Sequence, residues 1–201
     1  KPESLIIHSA IDALAHAIEA YMSRIASPFT EMHSLKAVDL ILKHLPTAVA
    51  SRSLEALEQL SIASVSASMA FSNASLGAEH ALAHSLGGQF DMQHGVIHPI
   101  LLPSFMRFNL PFNAKKMAEL CRVILGRRES SDENTAQAGI KKLEDFFASF
   151  NVPLRLGEII PRQEQATLAG ISRMAVQDAC NLTNAKPATW EEFLQIIEEV
   201  W

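Results

Sequence analysis

The chain has 201 residues, which allows one large domain or two small ones, and 48% of them are hydrophobic, enough for a sizeable buried core. A net charge of −5 and the absence of any run of Lys or Arg argue against a nucleic-acid-binding surface. Cys121 and Cys180 fit no zinc, redox or disulfide pattern, and no segment resembles a signal peptide or reaches the ~20 apolar residues of a membrane span, so we predict a cytoplasmic protein with no membrane partner.

The first two predicted helices are marked by capping residues and prolines. Ser9 followed by Asp12 resembles a capping box, and apolar residues then recur on one helix face as far as Met22. A second helix is predicted to begin at Ser27-Pro28, because proline suits the first helical position. We expect it to stop before Pro46, because proline disrupts a helix interior.

The next two predicted helices are rich in small residues. The third begins after Ser53 and continues past Phe71. Its stretch 61–74 has no charged face, so we expect it to be buried in the centre of a helical bundle. The fourth covers 76–86, and Gly87-Gly88 is expected to end it, because glycine accepts the left-handed conformation that follows many helices.

The second half of the chain continues the helical pattern. Residues 95–109 contain Pro99 and Pro103, which predict a kinked or interrupted helix. Four amphipathic helices follow, near 113–125, 134–150, 163–180 and 189–199. The predicted fold class is all-α, with about eight or nine helices in one domain over 1–201, packed as sub-bundles of about 1–111 and 112–201.

Histidines are the residues that indicate chemistry. All eight lie in the first 98 residues: His8, His16, His33, His44, His80, His84, His94 and His98. Asp12 and His16 are four residues apart and share one helix face, so they can coordinate one divalent metal. Taken alone, a capping Asp12 and a core His16 explain this pair more simply. His33 and His44 lie among charged residues and are interpreted as solvated.

A second histidine pair lies on the apolar fourth helix. Burying the imidazoles of His80 and His84 unpaired costs roughly 1–3 kcal/mol each, which a metal or a hydrogen-bonded pair would offset. His94, next to Gly95, can point back at this helix, although such a residue is most often on the surface. His98 is a fifth candidate that could equally face solvent or the core. Jointly, these nitrogen and oxygen donors without thiolates indicate Fe²⁺, Zn²⁺, Co²⁺ or Mn²⁺.

Several linked motifs resemble those of the iron-containing (group III) alcohol dehydrogenases. They are DALAHAIEAY at 12–21, GAEHALAHSLGG at 77–88, His94-Gly95, Leu-Leu-Pro at 101–103, and DACNLTN at 178–184 with Trp201 closing the chain. Four positions depart from the family pattern: Ala15 stands where Thr is usual, Gln93 where Pro is usual, and Ile97-His98 where Ala-Asn is common. None removes a ligand, but His98 could alter the surroundings of the metal.

This resemblance implies a two-domain enzyme, in which an N-terminal α/β domain binds NAD or NADP. The present chain corresponds to the helical, dehydroquinate-synthase-like C-terminal domain, which binds Fe²⁺ or Zn²⁺. The family's four metal ligands fall on Asp12, His16, His80 and His94. Its further histidine, near the nicotinamide and the substrate, falls on His84. The spacing alone does not separate His80 from His84, so that assignment comes only from the family.

The implied function is oxidation of an alcohol, or reduction of an aldehyde, by hydride transfer with NAD(P). The metal acts as a Lewis acid on the substrate oxygen, and His84 relays a proton or orients the substrate. The N-terminus lacks Met and looks like mid-chain sequence, so we expect an inactive fragment of a longer homo-oligomeric enzyme. The alternatives are a glycerol-dehydrogenase-like or lyase member of the same superfamily, and a non-catalytic helical interaction domain.

Overall fold

The computed structural model describes residues 2–201, without the side chains of Arg162, Gln163 and Gln165. Over this range the chain forms helices and no strand, which confirms the all-α prediction. The α-helices are α1 Glu3–Met22, α2 Pro28–Ser51, α3 Leu54–Ala74, α4 Ala78–Phe90, α5 His94–Asn109, α6 Ala114–Leu125, α7 Asp132–Ala148, α8 Leu168–Gln177, α9 Ala179–Thr183 and α10 Trp190–Glu199. Three 3-10 helices cover Leu110–Phe112, Leu156–Glu158 and Arg162–Thr167.

Side-chain caps fix several helix starts, as the sequence predicts. The Ser27 side chain accepts a hydrogen bond from the backbone N–H of Thr30, and the Thr30 hydroxyl accepts one in return from the backbone N–H of Ser27. The Ser53 side chain caps α3 by accepting a hydrogen bond from the backbone N–H of Ala56, without a reciprocal bond. Thr189 and Glu192 form a second reciprocal capping box at α10. Such caps typically contribute about 0.5–2 kcal/mol each, so these helices start where local sequence dictates.

The limits of the first two helices differ from the prediction. Helix α1 begins at Glu3, so Ser9 lies inside the helix and is not its cap. Helix α2 runs through Pro46 to Ser51. A proline inside a helix costs about 3 kcal/mol, but the adjacent Leu45 is fully buried against the core, and the packing of α2 outweighs that cost.

Four further expectations differ, wholly or in part, from the structure. Helix α4 continues through Gly87-Gly88 and ends at Phe90, and the next residue, Asp91, adopts the left-handed conformation with φ 52°. Helix α5 runs across its two prolines without interruption, so of the two predicted outcomes the interrupted helix was wrong and the kink stays a prediction. The predicted helix 163–180 is divided into a 3-10 turn, α8 and α9. Helix α3 buries only one face, and Val65 and Met69 on the other face are exposed.

Two buried apolar clusters organise the fold. The first joins α1, α2 and α3 with α6 and α7, and the second joins α4, α8 and α10. Helix α5 contributes to both, with Leu102 and Met106 in the first and Leu101 and Phe105 in the second. The division near residue 111 stays a prediction, and the clusters group the helices differently. None of the helices described is both long and apolar enough to span a membrane.

Candidate metal centre

Three of the predicted ligands meet between α1 and the first turn of α4. Asp12 and His16 project from one face of α1, and His80 lies in the first turn of α4. One ligand atom from each of the three lies within 4.8 Å of the others. The rings of His16 and His80 are stacked, with 4.6 Å between their centroids. These three side chains are therefore positioned to share one ion.

His80 has one ring nitrogen bound and one without a partner. The ring is fully buried, and its Nδ1 lies 2.5 Å from Oε2 of Glu19. Its Nε2 is buried with no hydrogen-bond partner among the described residues. An unsatisfied buried polar atom costs about 1–3 kcal/mol. When Glu19 accepts the Nδ1 proton, Nε2 presents a lone pair, which is the arrangement found in carboxylate–histidine–metal triads. The donor set thus fits a divalent metal.

Glu19 also caps helix α4 from a distance. Its carboxylate accepts the backbone N–H groups of Glu79 and His80, at 2.9 and 3.2 Å. Gly77, the N-cap residue of α4, has no side chain to do so, and a Cβ there would lie 2.6 Å from Oε1 of Glu19. One carboxylate therefore fixes both the backbone and the ring of His80. Sequence analysis missed Glu19, although its spacing of seven from Asp12 places it on the ligand-bearing face of α1.

A second buried carboxylate, Glu79, faces His98. Both residues are fully buried. Nδ1 of His98 lies 2.9 and 3.0 Å from the two oxygens of Glu79, and its Nε2 lies 3.0 Å from Oδ1 of Asp12. Of the two alternatives that the sequence left open for His98, solvent or the core, the structure shows the core, next to the candidate site. Glu79 was not predicted, because no local pattern distinguishes it from a first-turn acidic residue.

His84 and His94 lie to one side of these three ligands. Nδ1 of His84 lies 2.8 Å from Oδ2 of Asp178, and the His84 side chain is 37% exposed. The ring centroid of His94 lies 5.1 Å from that of His84 and 6.5 Å from that of His80. His94 is not within the group formed by Asp12, His16 and His80. His94 as the fourth ligand therefore stays a prediction.

Burial and the acidic residues set opposite pKa shifts on the two stacked histidines. Burial, followed by the neighbouring His80, lowers the pKa of His16 to about 3. Burial alone would lower the pKa of His80 as well, but Glu19 and Glu79 outweigh it and raise that pKa to about 10. For Asp12, burial is opposed by the His98 hydrogen bond and the nearby imidazoles, which hold its pKa below the usual value. His16 is thus ready to bind a metal, whereas His80 must first release a proton.

Comparisons with a family model and with individual proteins point to the same family. A family model described as "Fe-containing alcohol dehydrogenase family, C-terminal" matches residues 6–201. The NAD-dependent methanol dehydrogenase of Bacillus methanolicus is 34% identical over 201 residues, which is 98% of this chain and 52% of that protein. The 1,3-propanediol dehydrogenase of Citrobacter freundii is also 34% identical, over 100% of this chain and 52% of its own. The chain spans about half the length of these relatives.

Solved structures agree with the sequence comparisons. The crystal structure of a 1,3-propanediol oxidoreductase superposes with a TM-score of 0.94 at 33% identity, covering 100% of this chain and 53% of that one. An alcohol dehydrogenase from Oenococcus oeni gives a TM-score of 0.93 at 31% identity, with 100% and 52% covered. The helical architecture described above is therefore shared in full with these proteins.

Proposed function

Since this chain belongs to the Fe-containing alcohol dehydrogenase family, we propose that it is the metal-binding half of an enzyme that interconverts alcohols and aldehydes with NAD or NADP. The observation that carries the proposal is the buried Nε2 of His80, which has no hydrogen-bond partner in the described part of the chain, in a ring that lies near Asp12 and His16. The relatives' names mention methanol and 1,3-propanediol, which supports a small alcohol as substrate.

We assign Asp12, His16, His80 and His94 to the metal. The carboxylate oxygen and imidazole nitrogens suit either Fe²⁺ or Zn²⁺, and no thiolate belongs to the set. When bound, the ion supplies a Lewis acid for the substrate oxygen. Glu19 holds His80 through Nδ1, which leaves the buried Nε2 as the nitrogen assigned to the ion. This arrangement fixes the orientation of the ring before the ion arrives, and it retains the proton on Nδ1 when Nε2 releases its own to the solvent.

His84 is assigned the proton transfer. Asp178 holds its Nδ1, which leaves Nε2 as the atom that can take or give a proton. The side chain is partly exposed and lies next to His94, so it can exchange that proton with solvent. Asp178 acts as a positioning residue, because it keeps the ring in one tautomer. We also assign His84 to the nicotinamide side of the site.

The nucleotide itself would bind outside this chain. The sequence contains no glycine-rich phosphate loop, and Gly77 and Gly87-Gly88 are too isolated to form one. The cofactor's nicotinamide supplies the hydride acceptor or donor. NAD is supported by the name of the methanol dehydrogenase relative, which is described as NAD-dependent. The half of each relative that this chain does not span is the proposed location of nucleotide binding.

Metal content tests the assignment. The chain is loaded with Fe²⁺ without oxygen, or with Zn²⁺, then dialysed and analysed for bound metal. We expect about one ion per chain in the unaltered protein, and a large loss in His80→Ala. His44→Ala is the matched control, since His44 is distant from the candidate ligands in sequence and belongs to none of the clusters that could hold a metal among the described residues. Equal metal content in His80→Ala and the unaltered chain would contradict the proposal.

A further inference from the structure

The buried pair formed by Glu79 and His98 has no role in the chemistry proposed above. Neither side chain is accessible to solvent. The pair lies directly behind Asp12, because Nε2 of His98 is 3.0 Å from Oδ1 of that carboxylate. Burying a carboxylate and an imidazole in a helical core is costly, and apolar side chains of similar size would often fold as well or better. The pair therefore needs a reason other than packing.

The two oxygens of Asp12 face different partners. Oδ1 faces His98, whereas Oδ2 lies 3.6 Å from Nδ1 of His16. When one oxygen of a carboxylate accepts a hydrogen bond, the group cannot rotate freely. The other oxygen of Asp12 therefore stays directed at the candidate metal position. Ligating carboxylates in metal proteins are commonly held in this way.

His98 is itself held rigidly. Its Nδ1 faces both oxygens of Glu79, at 2.9 and 3.0 Å, so the ring plane is fixed from the far side. Glu79 is in the first turn of α4, beside His80, and His98 is in the second turn of α5. The chain of contacts from Glu79 through His98 to Asp12 thus links three helices around the site.

We propose that His98 is a positioning residue for Asp12: it holds Oδ1 so that Oδ2 faces the metal with His16 and His80, and Glu79 anchors His98. This role rests on the proposed metal centre. Because His98 donates its hydrogen bond to a ligand and does not contact the reacting atoms, its loss weakens and distorts metal binding and leaves the fold in place.

The test compares near-isosteric side chains that differ in one hydrogen-bond donor. His98→Gln keeps an amide N–H near the position of Nε2, and His98→Met has the same length and no donor. Both substitutions are made in the native background and again together with Glu79→Leu. The second background is needed because replacing His98 leaves the buried Glu79 carboxylate without its partner, and Glu79→Leu removes that carboxylate. Co²⁺ is the probe, with its dissociation constant measured by chelator competition and its ligand geometry by visible absorption.

We expect the Met variants to bind Co²⁺ about tenfold more weakly than the matching Gln variants, with altered absorption, since losing a partner of a metal ligand typically costs 10–100-fold. In an Asp12→Ala background the Gln and Met variants should bind alike, because His98 acts through Asp12. Equal affinities and spectra for the Gln and Met variants, with Asp12 present, would overturn the positioning role alone. Failure of the unaltered chain to bind Co²⁺ would overturn the metal centre and this role together.

Discussion

Replacing Gly95 with alanine tests the close crossing of α1 and α5 beside the candidate site. A Cβ at Gly95 would lie 2.3 Å from the backbone oxygen of His8 and 2.7 Å from its carbonyl carbon. Favourable contacts between non-bonded atoms begin near 3.5 Å, so the overlap is about 1 Å. The obstacle is the backbone of a helix, which no rotamer change can remove. Helix α5 must therefore shift away from α1 by about that distance.

Such overpacking costs about 1–3 kcal/mol of the free energy of unfolding. The shift also carries His98 away from Asp12, and the present 3.0 Å contact would pass the limit of a hydrogen bond. We therefore expect Gly95→Ala to lose both stability and metal affinity. Urea unfolding gives the first quantity and chelator competition with Co²⁺ the second.

Gly88→Ala is the matched control, because a Cβ there meets no atom within 4 Å. Alanine in a helix interior is favoured over glycine by about 0.5–1 kcal/mol, so this variant should be unchanged or slightly more stable. If Gly95→Ala unfolded at the same urea concentration as Gly88→Ala and bound Co²⁺ as tightly, the reasoning about the helix crossing would be refuted.

Three other predictions concern separate features. Gly139→Ala should destabilise the chain without changing Co²⁺ affinity, because its Cβ would lie 2.4 Å from that of Cys121, at the contact between α6 and α7; a metal-affinity loss would contradict this. In metal-free protein, Glu19 and Glu79 raise the folded-state pKa of His80 to about 10, above its ordinary value of 6.5. Folding then takes up a proton between these pH values, so stability should be full below pH 6.5 and fall as pH rises to about 10. Glu19→Gln should flatten that fall in pH-dependent urea titrations, and an unchanged slope would argue against the pairing. In the full-length enzyme, His84→Ala should lower kcat by about 10²–10⁴ at unchanged metal content, measured by NADH formation; full activity would exclude proton transfer by His84.

The sequence predicts most helices because local signals and the fold agree. Ser27 and Ser53 cap helices where their pattern indicates, and apolar periodicity identifies the faces that become buried. The errors occur where tertiary packing outweighs local preference. Pro46 and Gly87-Gly88 lie inside helices whose other residues gain more from burial than these residues lose. No property of the isolated segment reveals that balance.

The candidate site, like the fold, could be predicted from the sequence only where local patterns carry the information. Helical spacing alone pairs Asp12 with His16, and the family motif selects His80 over His84. The carboxylate of Glu19 reaches His80 across 61 positions of sequence. A contact between residues so far apart in the sequence leaves no local pattern, because it depends on how α1 and α4 are placed in the folded chain. His98 was noticed as a departure from the family motif, and only the structure shows that it faces Asp12.

The two apolar clusters have a consequence for the rate at which metal enters and leaves. Asp12 and His16 belong to a helix of the first cluster, and His80 belongs to a helix of the second. An ion held by all three would cross-link helices of the two apolar clusters, which are otherwise joined through α5. To release it, ligands on opposite sides of that boundary must separate, and rigid cores do not allow them to do so one at a time. We therefore expect slow, all-or-none metal exchange, coupled to transient separation of α1 from the first turn of α4.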